Sequence, residues 1–446
     1  MEIDSGNTAW VLTSAALVLL MTPGLALFYG GMARSKSVLN MLMMSFSALG
    51  IISVLWVLYG YAIAFGATRG GLFGFTGGLL GLDDLAPDTV TAGLPDLAFA
   101  GFQLMFAVIT VALISGAVAD RMKFGSWVVF AALWATLVYF PVAHWVFNFG
   151  VLQDDGSFAD GTGGWIVQRL GAIDFAGGTA VHINAGAAAL ALVLVLGKRK
   201  GFGREPMRPH NLPLVMLGAG LLWFGWFGFN AGSALGANGT AALALVNTQV
   251  ATAAALLAWI GTERLRDGHA TTLGAASGAV AGLVAITPAC AAVKPVGALV
   301  IGLVAGGACA LAVTLKHRLG YDDSLDVVGV HLVGGLVGTL MIGLVASESV
   351  AGRAGLLLGG GGGLLADQAV AAVAVCLYSF VVALLLAFAV KAVMGLRVSE
   401  EDEITGIDQT AHAESGYELT GIGAGGSSML AAAGAATARP SSVEVH

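Results

Sequence analysis

Two histidines stand inside apolar, glycine-rich runs of this 446-residue chain, and each follows an aspartate by eight residues. The runs are Asp174-Phe-Ala-Gly-Gly-Thr-Ala-Val-His182 and Asp323-Ser-Leu-Asp-Val-Val-Gly-Val-His331. A neutral imidazole offers one donor and one acceptor nitrogen, so it can take a proton on one side and release one on the other. An ionisable group in a hydrocarbon-spanning segment is costly unless it lines a polar path or meets a partner, and it therefore marks a functional site. Either histidine alone could equally be a packing residue. The same arrangement found twice points to one site assembled from two related halves.

The elements that must position them are membrane helices. The chain is 57% hydrophobic and 11% charged, its mean hydropathy is +0.86, and soluble domains average about 25% charged residues. About 20 apolar residues at 1.5 Å rise cross a hydrocarbon core of about 30 Å. Runs of that kind predict an all-α integral membrane protein with eleven spans, at 8–31, 39–66, 96–118, 125–149, 175–196, 211–235, 240–261, 271–288, 294–315, 327–346 and 368–393. Residues 209–262 hold no Asp, Glu, Lys or Arg, and the turn-like Gly236-Ala237-Asn238-Gly239 divides them. The 66 glycines are about twice the usual share and predict closely packed helices.

An N-out, C-in topology places 16 of the 20 Lys and Arg on the cytoplasmic side, leaving Arg69, Arg169, Lys294 and Arg353 outside. The outer loops then carry Asp83, Asp84, Asp88, Asp96, Asp154, Asp155 and Asp160, a face that favours cations through a screened field. A net charge of −7 argues against nucleic-acid binding, and Cys290, Cys309 and Cys376 fall in apolar surroundings that suggest neither a disulfide framework nor a metal site. Glu2 and Asp4 stand where a signal peptide would be basic, so the first apolar run is read as a true span. Residues 1–395 form the transmembrane domain and 396–446 a tail that includes the acidic run Glu400 to Glu403. Ile404, Ile407 and Tyr417 are its apolar anchors, and disorder is expected from about 421. Gly359 to Gly363 lack the Lys-Ser/Thr of a phosphate loop and read as a flexible outer linker.

Span 1 ends in Phe28-Tyr29-Gly30-Gly31 and span 6 in Phe229-Asn230-Ala231-Gly232, while spans 5 and 10 carry the Asp/His pairs. An offset of five spans inverts one half against the other, as in inverted-repeat transporters. Eight residues of helix then carry each histidine about 12 Å inward from opposite faces, to the midplane.

Several long motifs now coincide: Gly177-Gly178-Thr179-Ala180-Val181-His182-Ile183-Asn184, Gly225-Trp226-Phe227-Gly228-Phe229-Asn230-Ala231-Gly232-Ser233, Pro209-His210-Asn211-Leu212-Pro213, Asp326-Val327-Val328-Gly329-Val330-His331, and Thr22-Pro23-Gly24 in span 1. In this order, over roughly 8–420, the chain resembles the ammonium transporter family (Amt/Mep/Rh), bacterial Amt type. The resemblance implies that His182 and His331 line a narrow apolar pore. It implies that Phe106 and Phe229 form a stacked gate, and that Phe106, Phe147, Ser233 and Asp174 recruit ammonium. Phe102, Phe28, Tyr29 and Trp226 would line the vestibule or pore. For Asp174, capping of span 5 is an equal alternative; Asp323 and Asp326 are read as structural, and His144 as interfacial rather than part of a relay. The resemblance also implies a homotrimer in the inner membrane, with ammonium or methylammonium as substrate, no cofactor, and a PII-type regulator at the cytoplasmic face.

The function expected is uptake of ammonium with conduction of ammonia and a separate proton relay; the alternative is a sensor of the same fold signalling through the tail. An intramembrane enzyme would need a nucleophile–base pair or metal cluster, and a sodium-coupled carrier an unwound, oxygen-rich midplane segment; neither is evident. One departure stands out. The family usually has tryptophan where this chain has Phe147, and Trp145 lies about 200° away around a helix. Phenylalanine is the weaker cation–π partner, so Phe147→Trp should lower the half-saturating methylammonium concentration in uptake assays, and an unchanged value would count against Phe147 as a recruitment residue.

Overall fold

The computed structural model describes residues 2–153, 155–205 and 207–417. Asp154, Arg439 and the tail expected to be disordered from about 421 lie outside them. Among the described residues, ten helical segments are long and apolar enough to cross a membrane: α1 Ser5–Met32, α2 Ser35–Phe65, α3 Asp96–Val118, α4 Phe124–Phe147, α5 Gly178–Leu196, α6 Leu212–Gly232, α7 Gly239–Asp267, α9 Pro295–Leu319, α10 Val328–Val345 and α11 Gly363–Met394. The eighth expected span is different. Helix α8, Thr272–Ile286, has only 15 residues, about 22 Å of rise against a core of about 30 Å. Pro288, which has no N–H to give and disfavours helix at the residue before it, follows Thr287 and the chain continues as turns. Two short antiparallel hairpins, Thr68–Arg69 with Phe73–Gly74 and Val90–Thr91 with Leu94–Pro95, join α2 to α3.

Bulky apolar side chains point outward, Val54, Phe224, Leu257, Leu385 and Phe388 being more than half exposed. That pattern suits hydrocarbon as the surrounding solvent. Glycines meet at the helix crossings. A Cβ on Gly186 of α5 would lie 2.5 Å from the Leu332 nitrogen, and one on Gly335 of α10 would lie 3.0 Å from the Gly178 oxygen. As α5 advances from Gly178 to Gly186, its neighbour on α10 moves back from Gly335 to Leu332, so the two helices run antiparallel.

The basic loops gather on one face around buried charges. Arg34 reaches Asp120 at 3.1 Å, Arg199 reaches Asp120 at 3.4 Å and Asp322 at 2.8 Å. Arg121, fully buried between α3 and α4, donates to the carbonyls of Ala117, Ala119, Gly197 and Asp322 and to the Ser324 hydroxyl. Burial pulls its guanidinium down to about 10, with Asp322 opposing, so it stays cationic at neutral pH. The tail residues up to 417 lie on this face as α12 Glu400–Thr405 and α13 Ile407–His412. Ile407 is buried, but Ile404 is 55% exposed and Tyr417 38% exposed, so Ile404 is not the anchor expected. Carboxylates do that work. Glu403 accepts from Arg397 at 2.6 Å and from the Lys200 amide at 2.7 Å, and Asp408 caps α2 through the Leu39 and Asn40 amides at 3.0 and 2.8 Å.

The glycine run is a built turn rather than a plain linker: Gly359 and Gly361 take φ of +90° and +70°, and the Gly360 amide donates to Gly355 at 3.0 Å. Gly186→Val should destabilise the protein by about 1–3 kcal/mol through overpacking, read by denaturation in detergent. Gly50→Val, where nothing lies within 4 Å of the new Cβ, should leave the transition in place.

Candidate functional site

Each histidine is delivered by the same local device. The Asp174 carboxylate accepts from the amides of Gly177, Gly178 and Thr179 at 2.9, 2.6 and 2.8 Å, and also from the Thr179 hydroxyl. The Asp323 carboxylate accepts from the amides of Val327 and Val328 at 3.1 and 2.7 Å. Both cap the orphan donors of a helix start. Behind each cap runs one π-helical turn, Gly178–Ile183 and Val328–Leu332, and each histidine sits in it. Such turns inside α-helices are rare and cluster at functional sites. The register is shared to the residue: Gly177 and Asp326, each three beyond its aspartate, both take positive φ, +107° and +64°.

The two halves meet at the histidines. His182 Nδ1 and His331 Nδ1 are 3.3 Å apart, and the rings are 5.4 Å apart and inclined by 17°. They are 1% and 3% exposed. A neutral pair sharing that contact must hold one ring protonated on Nδ1 and the other on Nε2, whichever ring takes which role. The pair therefore presents one acceptor nitrogen and one N–H to its surroundings. His182 Nε2 has no hydrogen-bond partner among the described residues.

Around the pair the wall is apolar. Trp226 stacks on His182 at 5.5 Å and 16°, and its Nε1 donates to Thr287 Oγ1 at 2.9 Å. A cavity of about 10 Å³, the room one water-sized molecule needs, is lined by both histidines, Trp226, Phe229 and aliphatic groups including Leu25, Ile109, Leu113 and Leu222. Phe28 lines it; Tyr29 lies alongside, donating its hydroxyl to the Leu113 carbonyl at 3.0 Å.

Toward the end of α6, aromatic rings pack together. Phe106 and Phe229 stack at 4.1 Å and 27°, and Phe102 and Phe147 set their edges on Phe106 at 4.9 and 6.3 Å. Ser233, one turn beyond Phe229, donates back to its carbonyl at 2.8 Å. Trp145 faces away, against Trp165 and Tyr378, with Nε1 on the Leu72 carbonyl. Phe106, Phe147 and Phe229 are thus brought together. Asp174 is not aimed among them, because its oxygens are committed to the cap; burial raises its carboxyl above the usual range against those bonds. Lys316 holds Asp326 at 2.5 Å and donates to the Asp323 carbonyl at 3.0 Å.

His144, three residues from the end of α4, is fully buried, bonded through Nδ1 to the Ala64 carbonyl at 2.9 Å and through Nε2 to Thr68 Oγ1 at 2.8 Å. Several site residues escaped the sequence reading. Pro288 packs under Gly178, its carbonyl accepts from Phe175 at 3.1 Å, and Thr287 anchors Trp226. Buried Ser14 lies beside Gly232, near Phe102, with its hydroxyl unpartnered among the described residues. A lone hydroxyl in an apolar span was the only signal available for it.

Residues 9–417 match the family model described as Ammonium Transporter Family. The chain belongs to that family. It is 62% identical over 439 residues to a protein of Mycobacterium tuberculosis named ammonium transporter, covering 93% of this chain and 91% of that one. Among solved structures of this fold, Mep2 of Saccharomyces cerevisiae matches with a TM-score of 0.81 and 35% identity over 90% of this chain and 89% of its own. A protein named Sensor Amt Protein matches with a TM-score of 0.82 and 30% identity over 91% and 98%. Members of this family are transporters and not enzymes, and the chain is a multi-pass membrane protein.

Asp174→Ala takes the carboxylate acceptor from four amides, those of Gly177, Gly178, Thr179 and Ala180, and should cost about 1–3 kcal/mol, read as a lower denaturation midpoint. Asp174→Asn, which keeps one acceptor oxygen, should recover part of the loss; equal losses would mean that capping is not what the carboxylate does.

Proposed function

We propose that this chain moves ammonium across the membrane by stripping the cation at the aromatic stack and passing neutral ammonia through the histidine-lined cavity. The observation that carries this reading is the buried histidine pair in an otherwise apolar, water-sized space. Dehydrating a small cation for such a space costs several kcal/mol even after relaxation, whereas ammonia has no charge to desolvate. The faces of Phe106 and Phe147 attract a cation by roughly 0.5–2 kcal/mol, enough to concentrate ammonium without trapping it, and Ser233 supplies a carbonyl-anchored hydroxyl nearby.

The proton follows by a separate step on the same rings. The ring protonated on Nδ1 accepts at Nε2, passes its Nδ1 proton across the 3.3 Å contact, and the second ring releases its Nε2 proton. Afterwards the two tautomers have exchanged, so each cycle requires the rings to reset. The passage opens outside at the acidic face and into the cytoplasm at the basic face, in keeping with the distribution of Lys and Arg. In this reading the membrane domain spans 1–395, three copies assemble, and the tail from 396 with the basic loops receives a PII-type regulator.

A second reading, a sensor whose flux is incidental, draws support from the likeness to the Sensor Amt Protein and from a tail seated on the basic loops. Radiolabelled methylammonium uptake by proteoliposomes under a pH gradient separates the two, since absent flux favours sensing. With His182→Ala/His331→Ala, charge movement on a solid-supported membrane should vanish, and currents equal to those of the unmodified protein would reject the relay.

A further inference from the structure

The loop after α5 and the end of α9 border a second cavity on the basic face. It measures about 450 Å³ and is walled by Arg199, Phe202, Arg204, Lys316 and His317, with Glu205 the carboxylate among its lining residues. That size lies within the usual range of small-molecule sites, about 300–1,000 Å³. Five of the eleven residues 198–208 are Lys or Arg, against the single carboxylate Glu205. The substrate of the transporter is a cation, and this lining disfavours one.

The basic groups divide into two sets. Arg199 is fixed by Asp322 and Asp120, and Lys316 by Asp326, so these are held in place and supply a positive field. Arg204 and His317 in the wall, and Lys198 just outside it, have no hydrogen bond or ion pair from their side chains among the described residues. His317 stacks on Phe202 at 5.4 Å and 13°, and the Lys198 ammonium stands 5.8 Å above the Phe202 ring. Like charges gathered on one wall repel each other, and a bound anion relieves that repulsion. Arginine is suited to bidentate contact with phosphate oxygens, while lysine acts as a point charge.

We propose that this cavity binds a phosphate ester, with the phosphate on Arg204 in the field of Arg199 and Lys316, and the organic part against the Phe202–His317 pair. The ester can come from a free nucleotide or from a lipid headgroup reaching up from the bilayer edge, and the site is independent of how ammonium is moved. The test uses the full chain in neutral phosphatidylcholine nanodiscs at physiological salt. ADP and inorganic pyrophosphate are titrated by calorimetry, and phosphatidic acid is followed by native mass spectrometry. At least one probe should bind about tenfold more tightly to the unmodified protein than to Arg204→Glu. An unchanged unfolding midpoint reports that the variant is folded. Preference for ADP over pyrophosphate, lost in Phe202→Ala, supports the nucleotide source; a response to phosphatidic acid alone supports the lipid source. Equal binding of all three probes by the protein and its charge-reversed variant overturns the proposal.

Discussion

The contact between His182 and His331 is the constraint around which the rest of the molecule is arranged. Two imidazoles can share a hydrogen bond in a water-poor interior only if both are carried there on rigid backbone and neither leaves unsatisfied amides behind. The solution is the same in both halves: an aspartate that gathers the helix-start amides, a residue of positive φ three positions on, and a π-helical turn that presents the ring. Because α5 and α10 run antiparallel, the two devices approach from opposite faces and their rings meet. Gly186 and Gly335 let the backbones close far enough for that contact.

The shortness of α8 belongs to the same arrangement. Ending at Ile286, it leaves Thr287 and Pro288 as turn residues at the depth of the first device, where one holds Trp226 and the other supports Gly178. A full-length span would put helix where these contacts are made. Above them the Phe106–Phe229 stack leaves no open channel, and the space below it is of the size of one small molecule. In the proposed function, selection there rests on the cost of dehydration more than on any specific ligand group.

The two faces are built differently. The acidic loops carry few buried charges, whereas the basic loops converge on Arg121, Asp120, Arg199 and Asp322, which tie the ends of α3 and α5 to the segment before α10. Breaking one partner of such a buried network exposes an uncompensated charge to a low-dielectric interior. The tail is joined to it through the Val398 amide on the Arg121 carbonyl, at 3.0 Å. The segment that positions Asp323, and through it His331, is thus mechanically continuous with the tail.

The membrane class, ten of the spans and the pairing of the Asp/His segments were legible in the chain itself, because hydropathy at the length of a bilayer and an eight-residue spacing are local properties. The helix at span eight is shorter than hydropathy predicts, because hydropathy does not register that Pro288 ends a helix in a setting where the following turns are buried by neighbours. The role of Asp174 stayed open in the sequence, since a cap and a substrate ligand need the same residue at the same place; only the amides of Gly177 to Thr179 pointing at its oxygens settle where they are spent. Ile404 was misplaced, and the burial of His144 not foreseen, for a related reason. Burial is decided by what packs from elsewhere in the chain, and no window of sequence contains Ala64 and Thr68 beside His144, or the loops that bury Glu403 while leaving Ile404 outside.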